Sequence, residues 1–169
     1  MGPNQTPIYR IERGGEVTYH GPGQLVCYPL LDLTNEPYKQ DLHWYLTCIE
    51  EIIIQTLDEI GIQGQRDDIN TGVWVGKNKI AAVGVSSSRW ITTHGFSLNI
   101  NPDLTYFDTS KIIPCGIEGS GVTSISNVFE ESSYGSGREV PDMDTIVDII
   151  IGKFQKVFDV DVRNGSNLS

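Results

Sequence analysis

Cys115 is the residue best placed for covalent chemistry in this chain. It lies in Ile112-Ile113-Pro114-Cys115-Gly116-Ile117, where the proline fixes the backbone approach and the glycine leaves the thiol sterically open. A free thiol titrates near about pH 8.5 and is mostly protonated at neutral pH, so a working nucleophile needs a neighbouring cation or base. On its own residues, Cys115 reads equally as a nucleophile or as a packed loop thiol. Cys27 sits in an apolar run and Cys48 on an amphipathic stretch, and both read as inert core thiols. The scattered spacing of the three matches neither a disulfide framework nor a CxxC zinc site.

Lys79 is a candidate partner. It opens Lys79-Ile80-Ala81-Ala82-Val83-Gly84-Val85, a strand-like run of small and apolar residues that would bury the aliphatic stem. Low dielectric around an ammonium disfavours its charged form, which suits a proton carrier. A solvated lysine is the plainer alternative, and Lys77 two positions earlier reads that way. A third constellation is Arg13-Gly14-Gly15-Glu16-Val17-Thr18-Tyr19-His20-Gly21-Pro22-Gly23-Gln24, whose glycine density lets backbone N–H groups approach a ligand while Arg13 and His20 offer donors. It is neither a Walker loop nor a GxGxxG fingerprint, and two tight turns around a hairpin would explain its glycines equally well. A second His-Gly pair, His94-Gly95, precedes Phe96-Ser97. Three scattered histidines give no zinc site.

These residues need elements to hold them. A short strand is expected over 8–11, and Leu25 to Leu33 forms a nearly continuous apolar run that predicts a strand buried on both faces. From Asp41, a plausible N-cap, Leu42, Tyr45, Leu46, Ile49, Ile52, Ile53, Leu57 and Ile60 recur every three or four positions until Gly61. That spacing predicts a helix with one core-facing stripe. Strands are expected over 72–75, 79–85 and 96–100, the first two joined by the Gly76-Lys77-Asn78 turn. A second helix should start after Pro141 or Asp142, with Ile146, Ile149, Ile150, Phe154, Val157 and Phe158 inward, and Val160 to Val162 reads as a last short strand. The fold class is α+β, a mixed β-sheet covered by helices, in one domain over 8–163 with a polar tail over 164–169.

The chain has 169 residues, with 12 Lys+Arg against 22 Asp+Glu and a formal charge of -10. That balance argues against nucleic acid or an anionic membrane as partner. No apolar run approaches the roughly 20 residues of a membrane span, and no signal or transit layout is visible.

Taken together, three blocks in order resemble the octanoyltransferase (lipoate-protein ligase B) family: RGGEVTYHGPGQLV from Arg13, GKNKIAAVGV through RWITTHGFSLNI from Gly76, and IIPCGI from Ile112. The resemblance implies the biotin/lipoate protein ligase catalytic-domain fold and a cofactor-free, two-step acyl transfer. Cys115 matches the family nucleophile, which takes octanoate from octanoyl-acyl carrier protein as a thioester. Lys79 matches its lysine partner, which activates the cysteine and acts as acid or base. The acceptor is the lysine of an apo lipoyl domain, in 2-oxoacid dehydrogenases or the glycine cleavage H protein. By the same correspondence Arg13, Gly14, Gly15, Glu16, Val17, Thr18, Tyr19 and His20 line the substrate site with Ala82, Val83, Gly84, Gly95, Phe96 and Ser97. The family implies a monomer with no metal, cytoplasmic in a bacterium and in a mitochondrion or plastid of a eukaryote. Only 12 residues precede Arg13, so the usual N-terminal elements are expected to be missing. Two other readings remain open: an ATP-dependent lipoate or biotin ligase of the same fold, and a non-catalytic module that binds lipoyl domains or carrier proteins.

Overall fold

The computed structural model describes residue 9 and residues 18–107, 121–131, 139–163 and 165. The strand expected over 8–11, of which only Tyr9 is described, the candidates Arg13, Gly14, Gly15, Glu16 and Val17, and Cys115 with its flanking residues lie outside the described residues, as does most of the tail.

Four strands form one sheet in the order β1-β4-β3-β2, where β1 is Gln24–Cys27, β2 Val73–Val75, β3 Asn78–Ser88 and β4 Ile91–Asn99. All three of these strand pairings are antiparallel, and among the described residues parallel pairing is confined to the isolated Lys79–Val122 bridge. In this register Ala81 faces Leu98, Val83 faces Phe96 and Gly84 faces Gly95, while Leu25 faces Leu98 across β1. Strand alternation therefore gathers Leu25, Ala81, Val83, Phe96 and Leu98 on one side, all of them in or against the hydrophobic core. Ala82, Gly84, Gly95 and Ser97 fall on the other side.

Helix α1 (Leu42–Glu59) packs across β2, β3 and β4, and α3 (Met143–Phe158) packs on α1. The caps explain the ends of α1. The Asp41 carboxylate accepts the His43 and Trp44 amides, and beyond Leu57 the left-handed Gly61 lets the Ile62 amide reach back to the Leu57 carbonyl at 2.8 Å. Tyr45, Ile49, Ile52, Ile53 and Leu57 are fully buried, each worth about 1.5–3 kcal/mol of burial for a side chain of this size. Asp142 caps α3 through the Thr145 amide, and Phe158 closes its end against Tyr38, Trp44 and Tyr45.

The structure departs from the sequence expectation in three places. The run Leu25 to Leu33 is not one strand: β1 ends at Cys27 because Pro29 has no N–H to donate, and Tyr28 and Leu30 are exposed rather than buried. Side chains then join in holding the chain, with the Tyr45 hydroxyl donating to the Pro29 carbonyl at 2.8 Å and Thr92 Oγ1 donating to the same carbonyl while accepting the Leu31 amide, before backbone bonds of Leu31 to Thr92 and of Leu33 to Trp90 take over. The segment Val160 to Val162 is not a strand either. Asp159 adopts φ 53 and the Val160 amide closes back on the Gln155 carbonyl, which spends the chain's pairing groups on ending α3. Third, a short helix α2 (Ile125–Glu131) follows Ser124 and was not foreseen.

Burial pushes the Tyr45 phenol up to about 12 from 10.0, against a smaller opposing pull from Thr92. The folded value lies above the unfolded one, so the neutral phenol's contribution is complete below pH 10.0 and is lost as pH rises toward 12. Tyr45→Phe should cost about 1 kcal/mol in urea unfolding at neutral pH and should lose less additional stability than wild type on passing into this alkaline range.

Candidate active site

The side of the sheet away from the core carries a groove. Its floor is Ala82, Gly84, Gly95 and Ser97 together with the backbone of Val83 and Phe96, whose side chains turn to the core, and Thr18, His20, Tyr28 and His94 border it. Eight of these ten are among the substrate-site residues expected from sequence. The other two, Tyr28 and His94, were not assigned to it; their rings meet edge to face at 5.9 Å. Tyr19 stands apart from the lining, its ring stacked on Tyr106 at 4.8 Å and edge-on to Phe107. At the positions that face the groove, Ala82, Gly84, Gly95 and Ser97, side chains are small, and larger ones would fill the space between its walls. Gly95 has a further reason: a Cβ there would lie 2.1 Å from the Cys27 carbonyl oxygen and 2.7 Å from Pro29. Backbone cannot yield as a side-chain tip does, so Gly95→Ala should push β1 off β4 and lower stability by about 1–3 kcal/mol in urea unfolding.

A line of buried amides ties the groove's rim to the other end of the sheet. The His20 ring meets Gln24 Oε1 at 3.3 Å, Gln24 Nε2 donates to Asn99 Oδ1 at 2.7 Å, and Asn99 Nδ2 donates to the Thr123 carbonyl at 2.9 Å. The Thr123 amide in turn donates to the Lys79 carbonyl. Sequence reasoning missed Gln24 and Asn99. The signal was two amide side chains in strands of otherwise apolar or small residues, buried where only mutual hydrogen bonds can compensate them.

Lys79 lies near the start of β3 and is 7% exposed, so the plainer reading of a solvated lysine does not hold. Lys77, in the turn, is exposed as expected. A bulge between Val73 and Trp74 shifts the pairing so that Trp74 opposes Lys79, which brings the Lys79 ammonium 4.8 Å from the ring centroid. Nζ also donates to the Thr71 carbonyl at 3.0 Å. Trp74 Nε1 is buried and finds no hydrogen-bond partner among the described residues. Gly72 has φ +133 and a Cβ there would lie 2.7 Å from the Ala81 carbonyl and 3.2 Å from Lys79 Cε, so only glycine lets the lysine lie in this place. Nearby, hydrogen bonds from Asn70 and Ile69 hold the Asp67 carboxyl below its ordinary range, with a smaller contribution from Lys79. Burial pushes the Cys27 and Cys48 thiols up, which agrees with reading both as unreactive.

Lys79 is thus buried in β3 three residues before Ala82, where the same strand begins to line an open groove with a glycine- and alanine-rich floor. The architecture is that of the lipoate ligase catalytic fold: a lipoate-protein ligase A solved with ATP superposes with a TM-score of 0.66, covering 90% of this chain and 59% of its own at 16% identity. The chain belongs to the lipoyl protein ligase A/B catalytic domain family, whose model matches residues 1–156. It is similar to the octanoyltransferase of Gloeobacter violaceus, 57% identical over 117 residues covering 69% of this chain and 51% of that one. It is also similar to a chloroplastic octanoyltransferase of Arabidopsis thaliana, 45% identical over 158 residues covering 92% of this chain and 55% of the other. The chain thus spans about half the length of these curated relatives. Bacterial and plastid relatives both fit the compartments expected, and among the described residues no helix is long and apolar enough to cross a membrane.

Proposed function

We propose that this chain transfers an octanoyl group from octanoyl-acyl carrier protein to the lysine of an apo lipoyl domain, through a thioester on Cys115. The observation that carries the reading is the burial of Lys79 in the strand that, three residues on, lines the groove with Ala82 to Gly84. Similarity to curated octanoyltransferases supports the choice of acyl group.

Support for including Cys115 comes from the described residues that flank its segment. Before it, Phe107 packs against Tyr19; after it, the Gly121 carbonyl accepts the Lys79 amide at 2.9 Å and the Gly121 amide donates to Asn78 Oδ1. Cys115 precedes Gly121 by six residues, a reach of at most about 20 Å of extended chain. In the first step the Cys115 thiolate attacks the carrier thioester, a new C–S bond forms, the old one breaks, and the departing carrier thiolate takes a proton from the Lys79 ammonium. In the second, the lipoyl-domain amine attacks the octanoyl-cysteine carbonyl, a C–N bond forms as the C–S bond to Cys115 breaks, Cys115 leaves as a thiolate, and the proton released from nitrogen restores the Lys79 ammonium. Nothing is oxidised and no nucleotide is consumed. Arg13 to Val17, together with Thr18, His20 and the groove floor, hold the acyl chain.

The test is to mix the chain with octanoyl-acyl carrier protein and a purified apo lipoyl domain without ATP, and to read the lipoyl domain's mass. Octanoylation of its lysine is expected. Modification only when ATP and free octanoate are supplied would establish the ligase reading, and retention of a lipoyl domain without modification would favour a binding module.

A further inference from the structure

We propose that Glu50 is a positioning residue for Lys79, acting through the one peptide group that joins Thr71 to Gly72; the inference rests on the catalytic reading of Lys79 given above. Glu50 sits on α1 and is 8% exposed, an uncommon setting for a carboxylate. Its Oε1 accepts the Gly72 amide at 2.8 Å. The carbonyl of that same peptide, Thr71 O, accepts Lys79 Nζ at 3.0 Å. Carboxylate, peptide and ammonium are therefore in line. A carboxylate at the N–H end draws the peptide's electrons toward oxygen and makes that oxygen a stronger acceptor, and hydrogen bonds in such a chain reinforce one another at low dielectric. Arg66 holds the second Glu50 oxygen, with Nε 3.3 Å from Oε2, and donates from Nη2 to Glu51 and the Thr47 carbonyl. This fixes the carboxylate on the helix. Gly72 completes the line, because a side chain there would strike the Ala81 carbonyl and the lysine stem.

The relay predicts a dependence that plain support of the fold would not. With octanoyl-acyl carrier protein as donor, Glu50→Leu should lower kcat by about 10- to 100-fold, as misplacement of a reacting group does, with KM for the donor changed less than about twofold. Glu50→Gln keeps an acceptor for the Gly72 amide and should recover a large part of that loss. It also carries the comparison with wild type if Glu50→Leu fails to melt cooperatively. In a Lys79→Met background, adding Glu50→Gln or Glu50→Leu should cost less than about a further twofold, since the group it positions is gone. A folded Glu50→Leu enzyme with wild-type kcat would overturn the inference, and so would a loss that multiplies in full onto Lys79→Met. If Lys79→Met alone keeps wild-type turnover, the catalytic reading of Lys79 fails, an outcome distinct from failure of the relay.

Discussion

Lys79→Met is expected to fold and to lose about 10²- to 10⁴-fold in kcat for octanoyl transfer, the usual range for removing a positioned acid or base. Methionine is unbranched and close to the lysine stem in length, so what is removed is the charge that lies over the Trp74 ring and its proton. The groove is lined by other residues, so KM for the octanoyl donor should change little. Turnover would fall because the departing thiolate has no proton donor and the cysteine has no cation to favour its thiolate. Stopped or steady-state transfer assays on both proteins, with melting curves beside them, decide this. Equal loss of binding and turnover would place Lys79 in substrate recognition instead.

Cys115→Ser should cost at least about 10³-fold. A serine hydroxyl is far less acidic than a thiol, and activation that suffices for a thiolate leaves an alcohol protonated. The comparison also separates the available readings. A ligase that activates acid with ATP would keep its rate in Cys115→Ser, and a binding module would keep its affinity for lipoyl domains.

Much of this arrangement was legible from local pattern. The Asp41 and Gly61 signals bracket α1, the Gly76-Lys77 turn joins β2 to β3, and Asp142 starts α3, each within a turn of the expected place. Such features are decided by groups close in sequence. What escaped was decided by distant ones. Pro29 and the Tyr45 and Thr92 hydroxyls end β1 early, and no apolar count over Leu25 to Leu33 reports a hydrogen bond from α1 or β4. Glu50 was passed over inside a helical stripe with Leu46, Ile53 and Leu57, although a carboxylate in such a stripe asks for a buried partner. That partner, the Gly72 amide, lies 22 positions away. The substrate-site residues on β3 and β4 are named only through resemblance; alternation shows why four of them, Ala82, Gly84, Gly95 and Ser97, are small, since they face away from the core and floor the groove, while Val83 and Phe96 turn inward.

The most direct test of the account is the intact mass of the protein after incubation with octanoyl-acyl carrier protein in the absence of ATP, for wild type and Cys115→Ser side by side. The account predicts one octanoyl adduct on wild type, released by neutral hydroxylamine as a thioester is, and none on Cys115→Ser. A folded wild-type protein that gains no adduct, or an adduct that persists unchanged in Cys115→Ser, would contradict it.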